Sequence, residues 1–252
     1  MTTPPYAAGP DTESRPGEQV PAPASVPPTL LRDWVVCGLV AATARFVPLP
    51  VLDDALAARA VRESVRRTLR ASGRTYPFER VEDLVDRPGS LLGAVAGLPA
   101  KVLLWPARKW VRLVGAVRGV PADLTRVLAL SRTTHRVLQR GGLADDADPA
   151  GLRREARAVR RAVDAVLDEL DLRLVQAVLR DAVGGARGLS GALVDYARER
   201  FDRDRGDGGL EPGGDVDAGV DRVLAALRQP EVRRLVAELD RRVDERLEGT
   251  AA

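Results

Sequence analysis

The chain has little of the side-chain chemistry on which most enzymes depend. Among its 252 residues there is one histidine and one cysteine, and only two of the 39 basic residues are lysines. One histidine and one cysteine cannot complete a zinc site, and a single cysteine excludes an intramolecular disulfide. No nucleotide-binding fingerprint or complete phosphate loop is present. We therefore expect no catalytic activity and no cofactor or metal.

Aromatic residues are also scarce, at 4% of the chain. No region alternates apolar and polar residues with the period of two that a half-buried strand requires. Apolar residues instead recur at spacings of three and four, and hydrophobic residues make up 45% of the sequence. This pattern predicts an all-α protein, a multi-helix bundle of amphipathic helices whose core is mostly Leu, Val and Ala.

Proline and charge divide the chain into regions. Residues 1–28 hold eight of the 18 prolines, which predicts a disordered Pro-rich tail. A basic helical region over 29–143 and an acidic helical region over 144–252 follow, or one continuous helical domain over 29–252. Residues 88–144 carry nine basic groups and one acidic group, net +8, whereas residues 145–252 carry 19 and 24, net −5. Such blocks can serve an anionic partner, or can face each other within the fold.

The basic block contains one stretch, residues 90–140, that invites a functional hypothesis. Trp110, Leu113, Val114 and Val117 repeat at helical spacing, while arginines line another side. Helices that lie in a membrane interface have this composition, and so do helices that bury their apolar face in their own bundle. The candidate membrane or anion contacts are Lys101, Trp105, Arg108, Lys109, Trp110, Arg112 and Arg118.

A membrane crossing is not favoured in this stretch. Seven strongly apolar residues between Leu91 and Leu104 favour insertion by about 2–4 kcal/mol, and Lys101 alone costs about 2.5–3.5 kcal/mol. Pro99 and Pro106 add helix-breaking costs. The first residues also lack the basic and apolar segments of a signal peptide. We expect a cytoplasmic protein, peripheral on the inner face of the cell membrane if it binds lipid.

Three further expectations concern particular helices. Pro121 is expected to start a new helix after Gly119. Apolar spacing from Leu152 to Val178 predicts one long helix over about Pro149 to Val183, and a second apolar seam runs through residues 230–248. His135, the only histidine, lies on an apolar helix face, where a core or boundary position is a better explanation than a ligand or general base.

One short segment carries a family resemblance. An apolar helix is followed by Phe46-Val47-Pro48-Leu49-Pro50-Val51-Leu52-Asp53-Asp54, with a Pro-x-Pro corner, an acidic pair and then an amphipathic helix. Over roughly residues 35–76 this resembles uncharacterised bacterial EcsC-like helical proteins. The resemblance implies a helical fold and an association with membranes.

Three binding functions follow, in order of preference. The first is peripheral association with an anionic lipid surface through residues 90–140. The second is a protein–protein contact or homo-oligomer formed through the seams at 150–183 or 230–248. Nucleic-acid binding through the basic stretch ranks last, because the stretch pairs its cations with an apolar face and few polar base-reading side chains.

Overall fold

A computed structural model describes residues 26–44, 52–85, 105–184, 192, 193, 196 and 213–251, and within 52–54 and 105–120 it describes only the helix backbone. These residues form seven α-helices and two 3₁₀ turns, Phe78–Arg80 and Glu82–Leu84, with no strand among them. The all-α prediction is confirmed. The helices are α1 Pro28–Thr43, α2 Leu52–Ala71, α3 Trp105–Gln139, α4 Pro149–Glu169, α5 Arg173–Gly184, α6 Gly214–Leu227 and α7 Pro230–Ala251.

Local sequence signals account for several helix ends. Gly73 follows α2 with a φ of 73°, and the amide of Arg74 donates to the carbonyl of Leu69 at 3.0 Å. This pattern satisfies carbonyl groups that the helix end would leave unpaired, and it requires the left-handed conformation that glycine adopts without strain. At the start of α4, Asp148 caps the helix by accepting from the amide of Gly151 at 2.7 Å.

The expected single helix over Pro149 to Val183 is wrong, because α4 and α5 are separated at residues 170–172. Leu170 turns to an extended conformation, with a ψ of 137°. The Oδ1 atom of Asp171 then accepts from the amide of Arg173 at 3.1 Å, which stabilises a new helix start. The apolar spacing continues across the break, so periodicity alone does not reveal it.

The expected restart at Pro121 is also wrong. Helix α3 runs without interruption from Trp105 to Gln139, with Pro121 inside it. A proline in a helix interior removes one backbone hydrogen bond and crowds the preceding turn. Here the hydroxyl of Thr125 donates to the Pro121 carbonyl at 2.7 Å. The long helix therefore joins the predicted membrane-contact segment directly to the core of the protein.

The predicted tail at 1–28 lies outside the described residues except at its end, where Pro28 is the first residue of α1. The segment of the EcsC-like resemblance from Phe46 to Val51 lies outside them too. The apolar helix that precedes Phe46 in the sequence is present as α1, in which every residue from Trp34 to Thr43 is buried. Its apolar sequence allows it to be enclosed on all sides.

Two hydrophobic clusters hold the helices together. The first surrounds α1 and includes Val36, Leu124 of α3, Leu179 of α5 and Val220 of α6. The second joins α2, the 3₁₀ turns and α3 to α4 and α7, and it includes Val163 and Val243. Residues from both the basic and the acidic region contribute to each cluster.

Gly38 of α1 packs directly against Leu124 of α3. A Cβ atom at Gly38 would lie 2.4 Å from Leu124 Cδ1, and the Leu124 side chain is itself fully buried. Polar groups fix the third helix of this layer: Trp34 Nε1 donates to Thr68 Oγ1 of α2 at 2.8 Å. Because α1 has no room to shift, its glycine sets the spacing of α1 and α3.

We expect Gly38→Ala to lower the free energy of unfolding by about 1–3 kcal/mol, because the new methyl group overpacks this contact. Urea unfolding followed by circular dichroism measures the effect. Gly249→Ala is the matched control: no atom lies within 4 Å of a Cβ built there in helix α7, so it should be neutral or stabilise by up to about 1 kcal/mol. Equal effects of the two substitutions would contradict the close packing of α1 on α3.

Candidate functional site

Pro121 of helix α3 divides the basic block of residues 88–144 into two parts. Five of its nine cations precede Pro121, at Lys101, Arg108, Lys109, Arg112 and Arg118, with no acidic residue from 88 to 120. The other four are Arg126, Arg132, Arg136 and Arg140. The two parts differ in what the structure reveals about their side chains.

The three last arginines form an ion-pair ladder with helix α7. Arg132 donates to both carboxylate oxygens of Asp240, at 3.1 and 2.7 Å. Arg136 bridges to Asp240 at 2.9 Å and to Asp244 at 2.6 Å, and Arg140 reaches Asp244 at 2.7 Å. On α3 the arginines recur every four residues, and so do the two aspartates on α7. Matching spacing on two helices therefore lines up one face of each.

This ladder is partly sequestered from solvent. Asp240 is 8% exposed, and the side chains of Arg136 and Asp244 are 19% and 20% exposed. Partial burial and bidentate geometry make such pairs stronger than ordinary surface pairs. The fourth cation, Arg126, lies 3.9 Å from Asp164 of α4, which also accepts from the buried Arg160 at 2.7 Å. For these four arginines, the basic and acidic blocks do face each other.

The predicted contact residues all lie on the other side of Pro121. Lys101 lies outside the described residues. Trp105, Arg108, Lys109, Trp110, Arg112 and Arg118 belong to the helical backbone of α3, and their side chains lie outside what is described. This set of candidate contacts therefore stays a prediction.

The helical backbone groups these positions by face. At about 100° per residue, positions 108, 109 and 112 fall within an arc of about 100°, with position 105 inside it. Positions 110, 113 and 117 occupy a separate arc about 60° wide. On an unbroken helix, the second arc continues through position 124 to positions 131 and 135. The apolar face of the segment is therefore continuous with the face of α3 that packs on α1.

Helix α3 is much longer than its partners. From the contact at Gly38, α1 continues for five residues to Thr43, or about 8 Å, whereas α3 has nineteen residues before Leu124, or about 28 Å. Trp34 near His135 shows that the two helices run antiparallel. The N-terminal part of α3 thus extends about 20 Å past the end of α1.

His135 lies in the core, as its position on an apolar helix face predicts. It is 3% exposed, and its ring meets the ring of Trp34 edge-on with 5.9 Å between centroids. Ser131, one turn earlier, shares a hydrogen bond of 2.5 Å with Ser64 of α2, so its hydroxyl is paired there and not with His135. Burial, followed by the charge of Arg132, lowers the pKa of His135. The Nδ1 atom is buried without a hydrogen-bond partner.

Other chemistry is sparse in the described part of the chain. It holds no group of three His, Cys, Asp or Glu side chains that could bind a metal ion. Burial raises the pKa of the Cys37 thiol well above its usual value, so this thiol is a poor nucleophile. None of the described helices combines the length and apolar character needed to cross a membrane.

Comparison with known proteins found no match. No family model matches the chain, and no curated protein or solved structure matches it either. Functional interpretation therefore depends on the charge and packing of the molecule itself.

Removing one carboxylate of the ladder tests its structural role. We expect Asp240→Asn to lower the free energy of unfolding by about 1–3 kcal/mol, because Arg132 and Arg136 lose a shared, largely buried acceptor. Glu245→Gln is the control, since Glu245 pairs with Arg241 where both side chains are more than half exposed; its cost should stay below about 1 kcal/mol. Chemical unfolding at low and high salt measures both, and equal costs would contradict the structural role of the ladder.

Proposed function

We propose that the protein is a peripheral membrane protein that binds an anionic lipid surface through residues 101–118, the N-terminal part of α3 with Lys101 just before it. Lys101, Arg108, Lys109, Arg112 and Arg118 supply the positive charge, and Trp105 and Trp110 enter the lipid interface. The protein is expected to act from the cytoplasmic side, on the inner face of the cell membrane.

The observation that carries this proposal is the partition of charge along α3. Four of the nine cations lie against carboxylates of α4 and α7. Those four form ion pairs within the folded chain. The remaining five belong to a segment of 33 residues, 88–120, that has no acidic residue of its own. The lipid contact is therefore narrowed from residues 90–140 to residues 101–118.

Amphipathic character supports lipid over other anionic partners. Basic residues near an anionic membrane contribute about 1 kcal/mol each, so the five cations contribute at most about 5 kcal/mol. Tryptophan prefers the level of the lipid headgroups, where its ring can be both apolar and hydrogen-bonded. The reach of α3 beyond the end of α1 supports access to a flat surface. The EcsC-like resemblance over roughly residues 35–76 implies membrane association as well.

The predicted self-association seams contribute to the core of the single chain. In the seams at 150–183 and 230–248, Leu152, Val163, Val232 and Val243 are each at most 1% exposed. Among the described residues the one large exposed apolar side chain is Leu174, at 50%, which lies in the first seam. A homo-oligomer or protein partner stays a prediction, as does nucleic-acid binding.

Vesicle flotation tests the proposal directly. The wild-type protein should float with vesicles that contain phosphatidylserine and not with phosphatidylcholine vesicles, and high salt should weaken the interaction. Replacing Lys101, Arg108, Lys109 and Arg112 by Glu should abolish flotation. Trp105 and Trp110 fluorescence should shift to the blue on binding to anionic vesicles, and Trp34, which is 1% exposed, supplies a constant background.

A variant with the same change in net charge provides the control. Arg153, Arg161, Arg233 and Arg234 are exposed on α4 and α7, and their replacement by Glu should leave flotation within about twofold of wild type. An equal loss of flotation in both variants would mean that net charge alone, not residues 101–118, determines binding. If the wild type does not float, the proposal is overturned. Tighter binding to duplex DNA than to anionic vesicles at the same salt would favour nucleic acid instead.

A further inference from the structure

We propose that His135 makes the packing of α1 on α2 and α3 sensitive to pH: the interface accepts a neutral imidazole and is opened by an imidazolium. This device is independent of the proposed lipid contact. Its basis is the surroundings of one buried side chain.

The site of His135 is built for an uncharged ring. The residue is 3% exposed, its Nδ1 atom has no hydrogen-bond partner, and its ring lies against the edge of Trp34. The neighbouring hydroxyl groups are engaged: Ser131 bonds to Ser64 at 2.5 Å, and Thr68 accepts from Trp34 at 2.8 Å. A proton added at Nδ1 would place an unpaired charge between three helices, which is costly without a compensating acceptor.

The charged groups of the surrounding helices do not supply such an acceptor. On α3 itself the cation of Arg132 disfavours a second cation at His135. Asp33 of α1 and Glu63 of α2 lie against Arg67, at 3.2 and 2.8 Å. Both helices that cover the imidazole therefore direct their carboxylates to another cation.

Helices α4, α5 and α7 do not change this balance. Asp240 of α7 is shared by Arg132 and Arg136, and Asp164 of α4 accepts from Arg160. On α5 the charged side chains Arg173, Arg180 and Asp181 are exposed. An imidazolium at position 135 would thus be surrounded by engaged carboxylates and one adjacent guanidinium.

The direction of the pH effect follows from proton linkage. In the unfolded chain the histidine has a pKa of about 6.5, and in the folded chain burial and Arg132 lower that pKa. The unfolded state therefore binds the proton first as the pH falls. The part of the free energy of unfolding that depends on His135 is fully present above pH 6.5 and decreases below it. It stops decreasing once the pH is below the pKa of His135 in the folded chain. Each pH unit between the two pKa values lowers the ratio of folded to unfolded protein by about tenfold.

Opening at this point would release an apolar surface. Trp34, Val36 and Leu39 of α1 are each at most 1% exposed in the closed arrangement. Separation of α1 from His135 would uncover its apolar side chains and free the indole of Trp34 from Thr68. Acid would thereby convert the most buried of the described helices into an exposed hydrophobic segment.

The full-length protein allows an unambiguous titration, because His135 is its only histidine. Its imidazole proton resonances, followed by NMR from pH 7.5 to pH 4.5, should show a midpoint below 6.5. In a Trp105→Phe/Trp110→Phe variant, Trp34 is the only tryptophan, and its fluorescence should change with the same midpoint. Urea unfolding of the wild type should weaken over that pH range.

His135→Phe is the variant that removes the proton while keeping a flat ring against Trp34. From pH 7 to pH 5 its urea unfolding midpoint should stay constant, whereas that of the wild type falls. Its Trp34 fluorescence should not titrate. A histidine midpoint at or above 6.5, or parallel stability curves for the two proteins, would overturn the proposal. If His135→Phe does not fold, the wild-type NMR midpoint and the Trp34 signal still decide the matter.

Discussion

The burial of α1 is the constraint on which the other helices depend. From Trp34 to Ala44 this helix carries no charge, and it packs against α2, α3 and α6. A helix that is apolar on every side gains by exclusion from water on every side, but only if its neighbours approach closely. Gly38 permits that approach on the α3 side. On the α2 side the Trp34 indole donates to Thr68, and Asp33 pairs with Arg67.

Helix α3 faces this apolar centre with one side and the acidic helix α7 with another. The arginine ladder on its second side gives the C-terminal helix a defined register, since Arg132, Arg136 and Arg140 meet Asp240 and Asp244 at the same interval of four residues. Ion pairs of this kind contribute more to register than to net stability. A positive charge that looks like a ligand-binding feature in the sequence is thus, beyond residue 121, part of the fold.

Periodicity predicted the all-α class and the core position of His135, because both follow from the spacing of apolar residues along a helix. It missed the break at Leu170, where Asp171 stabilises a new helix start, and it missed the continuity of α3 through Pro121. The ladder needed knowledge of which helices are neighbours. Its signal, arginines and aspartates at matching intervals of four, is visible in the sequence only once α3 and α7 are known to meet.

The same turns of α3 carry both the ladder and the buried imidazole, and this has a physical consequence. Arg132 holds Asp240 on one side of the helix and repels a proton from His135 on another. Any event that withdraws Asp240 leaves the guanidinium without its nearest carboxylate and makes protonation of His135 still less favourable. The electrostatic contact between α3 and α7 and the packing of α1 are therefore coupled through one arginine. Burial is the larger cause of the lowered pKa of His135, and the charge of Arg132 adds to it.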